Sequence, residues 1–310
     1  MIGFAILLQI LGSFLFAGGA ALQSLGVRST FDDDTPASDN RLSVGGMLKL
    51  VLIPKWSLGL LCVLLGAGIN FAALTLAPIA VVQPIGIVAV IWSVLLAARI
   101  HKHRISGHLW IAVLVTFVGL VGFTIISTRN ATGNQEATLV SLLVTFGVVV
   151  AISLGISAIT PRVTPWLKAM LWSSIGAMLY GMATGMLKAT ADMVLTYHES
   201  WLDLKVLVAI VLMLVGFFGG VWMIQQGYAS GPAEITVATM TTVDPVVAVL
   251  FGLVVLAEGA HMGLWAGIGM TVMGAVAIYG VVMLSHYHPD AIKERAERER
   301  RDAAEQRAAN

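Results

Sequence analysis

Nine runs of about twenty or more residues, nearly free of charge, divide this chain of 310 residues. They fall at about 2–26, 57–77, 78–98, 108–127, 137–159, 168–192, 203–226, 232–256 and 263–284. A helix needs about 20 apolar residues to cross hydrocarbon, and lipid obliges every backbone polar group to bond within the chain. The runs therefore predict an all-α membrane protein of nine transmembrane helices. Composition agrees, since 58% of residues are hydrophobic and 11% charged, where soluble domains carry about 25% charge. A net charge of +1 gives no field for nucleic acid. The single cysteine, Cys62, excludes an intrachain disulfide. The first run is too long for a signal-peptide core, and no Lys or Arg precedes it.

Lys and Arg set the expected orientation. With nine spans the termini lie on opposite sides. Arg129 and Lys205 fall on the N-terminal side. Fifteen basic residues fall on the other, among them Arg28, Lys49, Arg99, Lys168 and six in the tail. The N-terminus is expected outside and the C-terminus in the cytoplasm, with the chain in the plasma (inner) membrane. The tail, 287–310, mixes both signs at helical spacing, as in the Glu294–Arg298 pair, and reads as a solvated helix.

An internal repeat is visible. "LGSFLFAGGAALQS" in the first span aligns with "IGAMLYGMATGMLK" in the sixth, setting Gly12 on Gly176 and Phe16 on Tyr180. Gly66 matches Gly220 and Pro78 matches Pro232 at one offset. Leu109-Trp110 matches Leu264-Trp265, and Gly119 matches Gly274. The expected layout is four spans (1–127), a linker span (128–160), four spans (161–286) and the tail (287–310). Five spans separate each matched pair, so partners run in opposite directions. An inverted-topology repeat of this kind points to a secondary transporter working by alternating access.

The second half, "FGLVVLAEGAHMGLWAGIGMTVMGAV", resembles the drug/metabolite transporter superfamily of the EamA type, with Pro245 opening a PV-x-A stretch and Glu258, Gly267 and Gly274 following. The first half, "WSLGLLCVLLGAGINFAALTLAPIAVVQPIGIVAVIWSVLLA", is similar to the NIPA-like magnesium transporters through Trp56, Gly59, Gly66, Asn70, Pro78 and Pro84. The resemblance implies nine spans and a transported solute. It departs from the branch in two places. Ala67 stands where the branch has an acid after the matched glycine, and "RIHKHRISG" is basic where the branch is acidic. Magnesium prefers carboxylate and other oxygen ligands, so these losses shift the expectation toward organic solutes.

Polar groups within the spans are the candidate site. A carboxylate at the bilayer centre costs about 2.5–3.5 kcal/mol on insertion scales, yet Asp244 lies inside the eighth span. Pro245 cannot donate to the Thr241 carbonyl, leaving a free acceptor one turn back. At about 1.5 Å per residue, Asn70, Asp244, Tyr180 and Gln83 fall at similar depth. Asp244 has Val90 as its repeat counterpart, so the acid is unmatched. It is the expected proton-coupling or cation-binding group, and the candidate metal ligand if a metal is bound. Lys188 reads as an anion-binding cation, as a partner of Asp244 or Asp192, or as a snorkelling side chain. Pro84 and Pro245 are candidate kinks or hinges. Gly181 to Gly185 has small-xxx-small spacing, a packing device. Glu234, in a first helical turn, suits the helix dipole. Asp32 to Asp34 and His101 to His103 read as loop charges rather than metal cages.

The expected function is proton-coupled export of a small organic metabolite. The alternatives are a divalent-cation (Mg²⁺) transporter and a flippase for a lipid-linked, phosphate-bearing head group. No cofactor is expected, and no reactive constellation suggests an enzyme. Expected partners are the substrate, protons and the lipid bilayer, and a homodimer is compatible with the layout.

Overall fold

The computed structural model describes residues 2–31, 42–76, 86, 88–100, 106–130, 135–257 and 262–287. These are helical, with no strand among them. The helices are α1 (Ile2–Arg28), α2 (Val44–Leu50), α3 (Pro54–Leu76), α4 (Val88–Ile100), α5 (Gly107–Asn130), α6 (Leu139–Ile159), α7 (Pro165–Leu195), α8 (Leu204–Ser230), α9 (Ala233–Val255) and α10 (Leu264–His286). Among the described residues six helices are long and apolar enough to cross a membrane: Gly3–Arg28, Gly107–Ser127, Leu139–Arg162, Leu204–Ser230, Ala233–Val255 and Leu264–His286. Val88–Ile100 is a shorter apolar helix. Of the remaining expected spans, 57–77 falls within α3 and 168–192 within α7, while part of 78–98 lies outside the described residues.

Local chemistry sets the helix ends. Ser43 caps α2 by accepting from Gly46 N. Thr138 and Ser141 form a reciprocal capping box at α6. Pro165 opens α7, where a missing N–H costs nothing. Gly231 and Pro232 separate α8 from α9. At one end of the bundle Lys205 Nζ donates to Glu136 and, at 2.9 Å, to Glu199. These side chains are about a third exposed. Exposed pairs contribute about 0–1 kcal/mol, so Lys205→Ala is expected to leave the thermal midpoint within roughly 3 °C of wild type, as checked by a melting curve in detergent.

The glycines set how closely the helices approach. A Cβ at Gly12 would lie 3.2 Å from Gly66 O, and one at Gly66 would lie 2.9 Å from Gly12 O. Gly176 and Gly220 face each other in the same way, at 3.0 and 3.1 Å. These four residues are the pairs the repeat alignment had matched. α1 runs antiparallel to α3, with Gly19 against Gly59 and Gly26 against Trp56. α7 runs antiparallel to α8, with Gly227 against Ser173. α7 is parallel to α9: Ser173 Oγ donates to Thr236 Oγ1 at 2.9 Å, and Gly181 and Gly185 meet Asp244 and Phe251. α5 packs antiparallel on α10, with Gly119 on Ala277, Gly122 on Met273 and Thr116 on Gly280.

Three apolar cores result. One joins α6 to α9 through Leu142, Ile175, Met182, Met186 and Phe251. A second joins α4, α5, α9 and α10 through Val90, Val94, Leu120, Phe123 and Leu284. The third holds α1, α3, α8 and α9 around Trp56, Ile224 and Tyr228. α6 lies at the edge, with Val140, Leu143, Val144, Val148 and Ile152 exposed, as suits a surface solvated by acyl chains.

Candidate functional site

The glycine contact of α7 with α9 places Asp244. A Cβ at Gly181 would sit 2.5 Å from Asp244 O and 2.9 Å from Val247 Cβ. The two backbones therefore touch at the acid, and the Gly181–Gly185 spacing serves as the packing device the sequence suggests. Beside this contact lies a cavity of about 330 Å³, lined by Tyr180, Ala183, Thr184 and Leu187 of α7, Met213, Leu214 and Phe217 of α8, and Asp244. The carboxylate is partly buried, and among the described residues no cation or hydrogen bond offsets its burial. Tyr180 lies close enough to interact with its charge, and Tyr228 is in turn close to Tyr180. The Tyr180 and Phe217 rings stand 5.7 Å apart, tilted by 49°.

The sequence candidates distribute unevenly around this cavity. Tyr180 and Asp244 both line it. Thr241 is one turn before the acid, and its hydroxyl donates to Val237 O at 2.9 Å. Pro245 lies inside α9, which continues helical through it. Asn70 is engaged elsewhere: its Nδ2 donates to Gln9 Oε1 of α1 at 2.9 Å. Lys188 is exposed on α7 and is not among the residues lining the cavity. Gln83, Pro84, Glu258, the Asp32–Asp34 loop, His101–His103 and the tail beyond Tyr287 lie outside the described residues. Among the described residues no three His, Cys, Asp or Glu side chains gather as a metal site.

A second polar cluster was not singled out from sequence. Gln225 Nε2 donates to Gln23 Oε1 at 2.8 Å, and Gln225 Oε1 accepts from Trp56 Nε1 at 3.0 Å. Gln226 exchanges two bonds with the backbone of Leu42, at 2.8 and 3.0 Å. The three glutamines and Trp56 are buried. This cluster clasps α8 to α1, α3 and the segment before α2. Nearby, Arg28, Ser24, Ser93 and Glu234 border a space of about 30 Å³ between α1, α4 and α9. Neutral amides inside apolar runs were the available signal, and the adjacent Gln225-Gln226 the clearest case of it. Losing Gln225 strands Trp56 N–H and the Gln23 amide, at about 1–3 kcal/mol for each unpaired group. Gln225→Leu is therefore expected to lower the melting midpoint by roughly 5–10 °C in detergent.

The chain also carries a family signature. A family model described as "Magnesium transporter NIPA" matches residues 2–287. Among curated proteins, an uncharacterized protein of Corynebacterium glutamicum is 25% identical over 249 residues, covering 80% of this chain and 84% of the relative. No solved structure matches. With a membrane-crossing helical bundle, a carboxylate-lined cavity within it and a match over almost the whole length, this multi-pass membrane protein belongs to the NIPA magnesium transporter family.

Proposed function

We propose that this chain is a secondary transporter that carries a cation past Asp244 by alternating access of two four-helix halves. The carrying observation is the Asp244 carboxylate, which lines a cavity between α7, α8 and α9 with no balancing cation among the described residues. An intramembrane acid retained against its insertion cost is by default a functional group. Family membership makes Mg²⁺ the first cargo to test. Proton-coupled movement of an organic solute is a second reading, favoured by the mostly apolar lining of the cavity.

The packing supports a two-half design, with halves 1–127 and 161–286. In each, a first helix lies antiparallel to a second through facing glycines, Gly12–Gly66 and Gly176–Gly220. The C-terminal ends of α1 and α8 meet at Gln23–Gln225. Because α7 is antiparallel to α8, α1 and α7 run in opposite senses, as an inverted repeat requires. In this reading the glutamine cluster closes one end of the bundle, the end expected from the Lys and Arg bias to face the cytoplasm. Opening that end would require its hydrogen bonds to separate.

Flux through proteoliposomes tests the reading. The full chain is reconstituted with a Mg²⁺-sensitive dye, or a pH-sensitive dye, inside. A carrier gives saturable, Asp244-dependent flux of Mg²⁺, or of protons when an organic solute is supplied. Equal flux with Asp244→Asn under every condition would sink the assignment of the site.

A further inference from the structure

The Asp244 cavity is chemically one-sided. Among the described residues that line it, Ala183, Leu187, Met213, Leu214 and Phe217 present carbon or sulfur, and the polar groups are one carboxylate, the Tyr180 hydroxyl and the Thr184 hydroxyl. Magnesium demands near-octahedral oxygen coordination and gives up its waters reluctantly. One carboxylate leaves its second charge unbalanced, and five apolar side chains cannot bond its water shell. A singly charged ion is matched by that carboxylate. Two aromatic walls, Tyr180 and Phe217, stand beside it, and ring faces attract weakly hydrated cations such as substituted ammonium ions. Leu187, Leu214 and Phe217 are 57%, 43% and 48% exposed. They form a rim on the outer surface of α7 and α8, within apolar spans, where the surroundings are acyl chains. The space of about 330 Å³ is within the range of small-molecule sites, about 300–1,000 Å³.

We propose that the Asp244 cavity holds a monovalent organic ammonium ion whose apolar body rests on Phe217 and the Leu187–Leu214 rim. This rests on Asp244 being the cargo site, and it names the class of cargo: a cation soluble at the edge of the bilayer, not a hydrated divalent ion. The charge lies at the carboxylate, beside the Tyr180–Phe217 ring pair, and the hydrocarbon part fills the apolar remainder.

Equilibrium dialysis and thermal stabilisation of the purified full chain test this with benzyltriethylammonium, tetramethylammonium and Mg²⁺. Benzyltriethylammonium is expected to bind saturably and to be undisplaced by millimolar Mg²⁺. Tetramethylammonium, with the charge but little apolar body, should bind at least about tenfold more weakly, as loss of several buried CH₂ groups implies. Phe217→Leu keeps the wall apolar and removes the ring, and should weaken binding roughly 2- to 30-fold. Asp244→Asn should abolish binding. If Mg²⁺ instead binds in an Asp244-dependent way and displaces the organic ion, the inference is overturned while the cation-carrier reading stands. If neither ligand responds to Asp244→Asn, both fail. Equal affinity for the two ammonium ions, unchanged in Phe217→Leu, overturns the role of the apolar and aromatic walls.

Discussion

Asp244→Asn is expected to cut transport about 100-fold while the protein stays folded, because breaking a buried charge pair costs about 2–5 kcal/mol. The substitution is nearly isosteric and removes only the charge that would face the cargo in the proposed site. A neutral amide cannot balance a cation in a cavity walled by Leu187, Met213, Leu214 and Phe217. The same change has the opposite sign for stability. Among the described residues the carboxylate has no cation or hydrogen bond to offset its burial, so replacing it with a neutral group removes a desolvation cost. The melting midpoint of Asp244→Asn should equal or exceed that of wild type. Asp244→Glu keeps the charge and lengthens the arm by one methylene, and should retain measurable flux. Initial rates in proteoliposomes beside melting curves separate these effects. A variant that melts early and fails to transport would instead mark Asp244 as structural.

Gly280→Val is expected to be the most damaging single change in the bundle. A Cβ there would press on Thr116 Oγ1, lie 2.5 Å from Thr116 N and 2.8 Å from Thr116 Cα. On the same seam, a Cβ at Gly119 would meet Ala277 N and lie 2.8 Å from Met273 O. The obstacles are largely backbone, so no rotamer change relieves them, and α5 must move away from α10. Close approach through small residues is a main source of helix association in lipid. Overpacking of this kind costs about 3 kcal/mol or more, a fall of roughly 5–10 °C in melting midpoint. Gly155→Val on α6 is the control, because a Cβ there meets nothing within 4 Å. Thermal denaturation in detergent of the three proteins decides the matter, and equal midpoints would refute the seam.

Six of the expected spans were legible because crossing a bilayer demands long apolar runs, and length with composition reports that demand directly. The glycine matches were legible for a related reason. Gly12, Gly66, Gly176 and Gly220 recur because two helix backbones touch there twice over. Depth counting brought Tyr180 and Asp244 to one level, and the structure lines one cavity with both. It also placed Asn70 at that level, but depth carries no information about azimuth. Asn70 faces α1 and bonds to Gln9. Lys188 illustrates the same limit, since it stays on an exposed face of the helix that carries Tyr180. Phe217 and the glutamine clasp were missed because neither a lone aromatic nor a neutral amide stands out in an apolar run. Their meaning comes from partners 169 and 202 residues away in sequence, as for Trp56–Gln225 and Gln23–Gln225.

The clasp also has no twin. Under the offsets that pair the repeats, Gln23 corresponds to Leu187 and Gln225 to Phe71. One end of the bundle is fastened by directional bonds, and the residues aligned with them in the sequence are apolar. Hydrogen bonds release over a short distance. In the proposed alternating-access cycle, parting α8 from α1 would break these bonds together, so that end would act as a latch with a threshold.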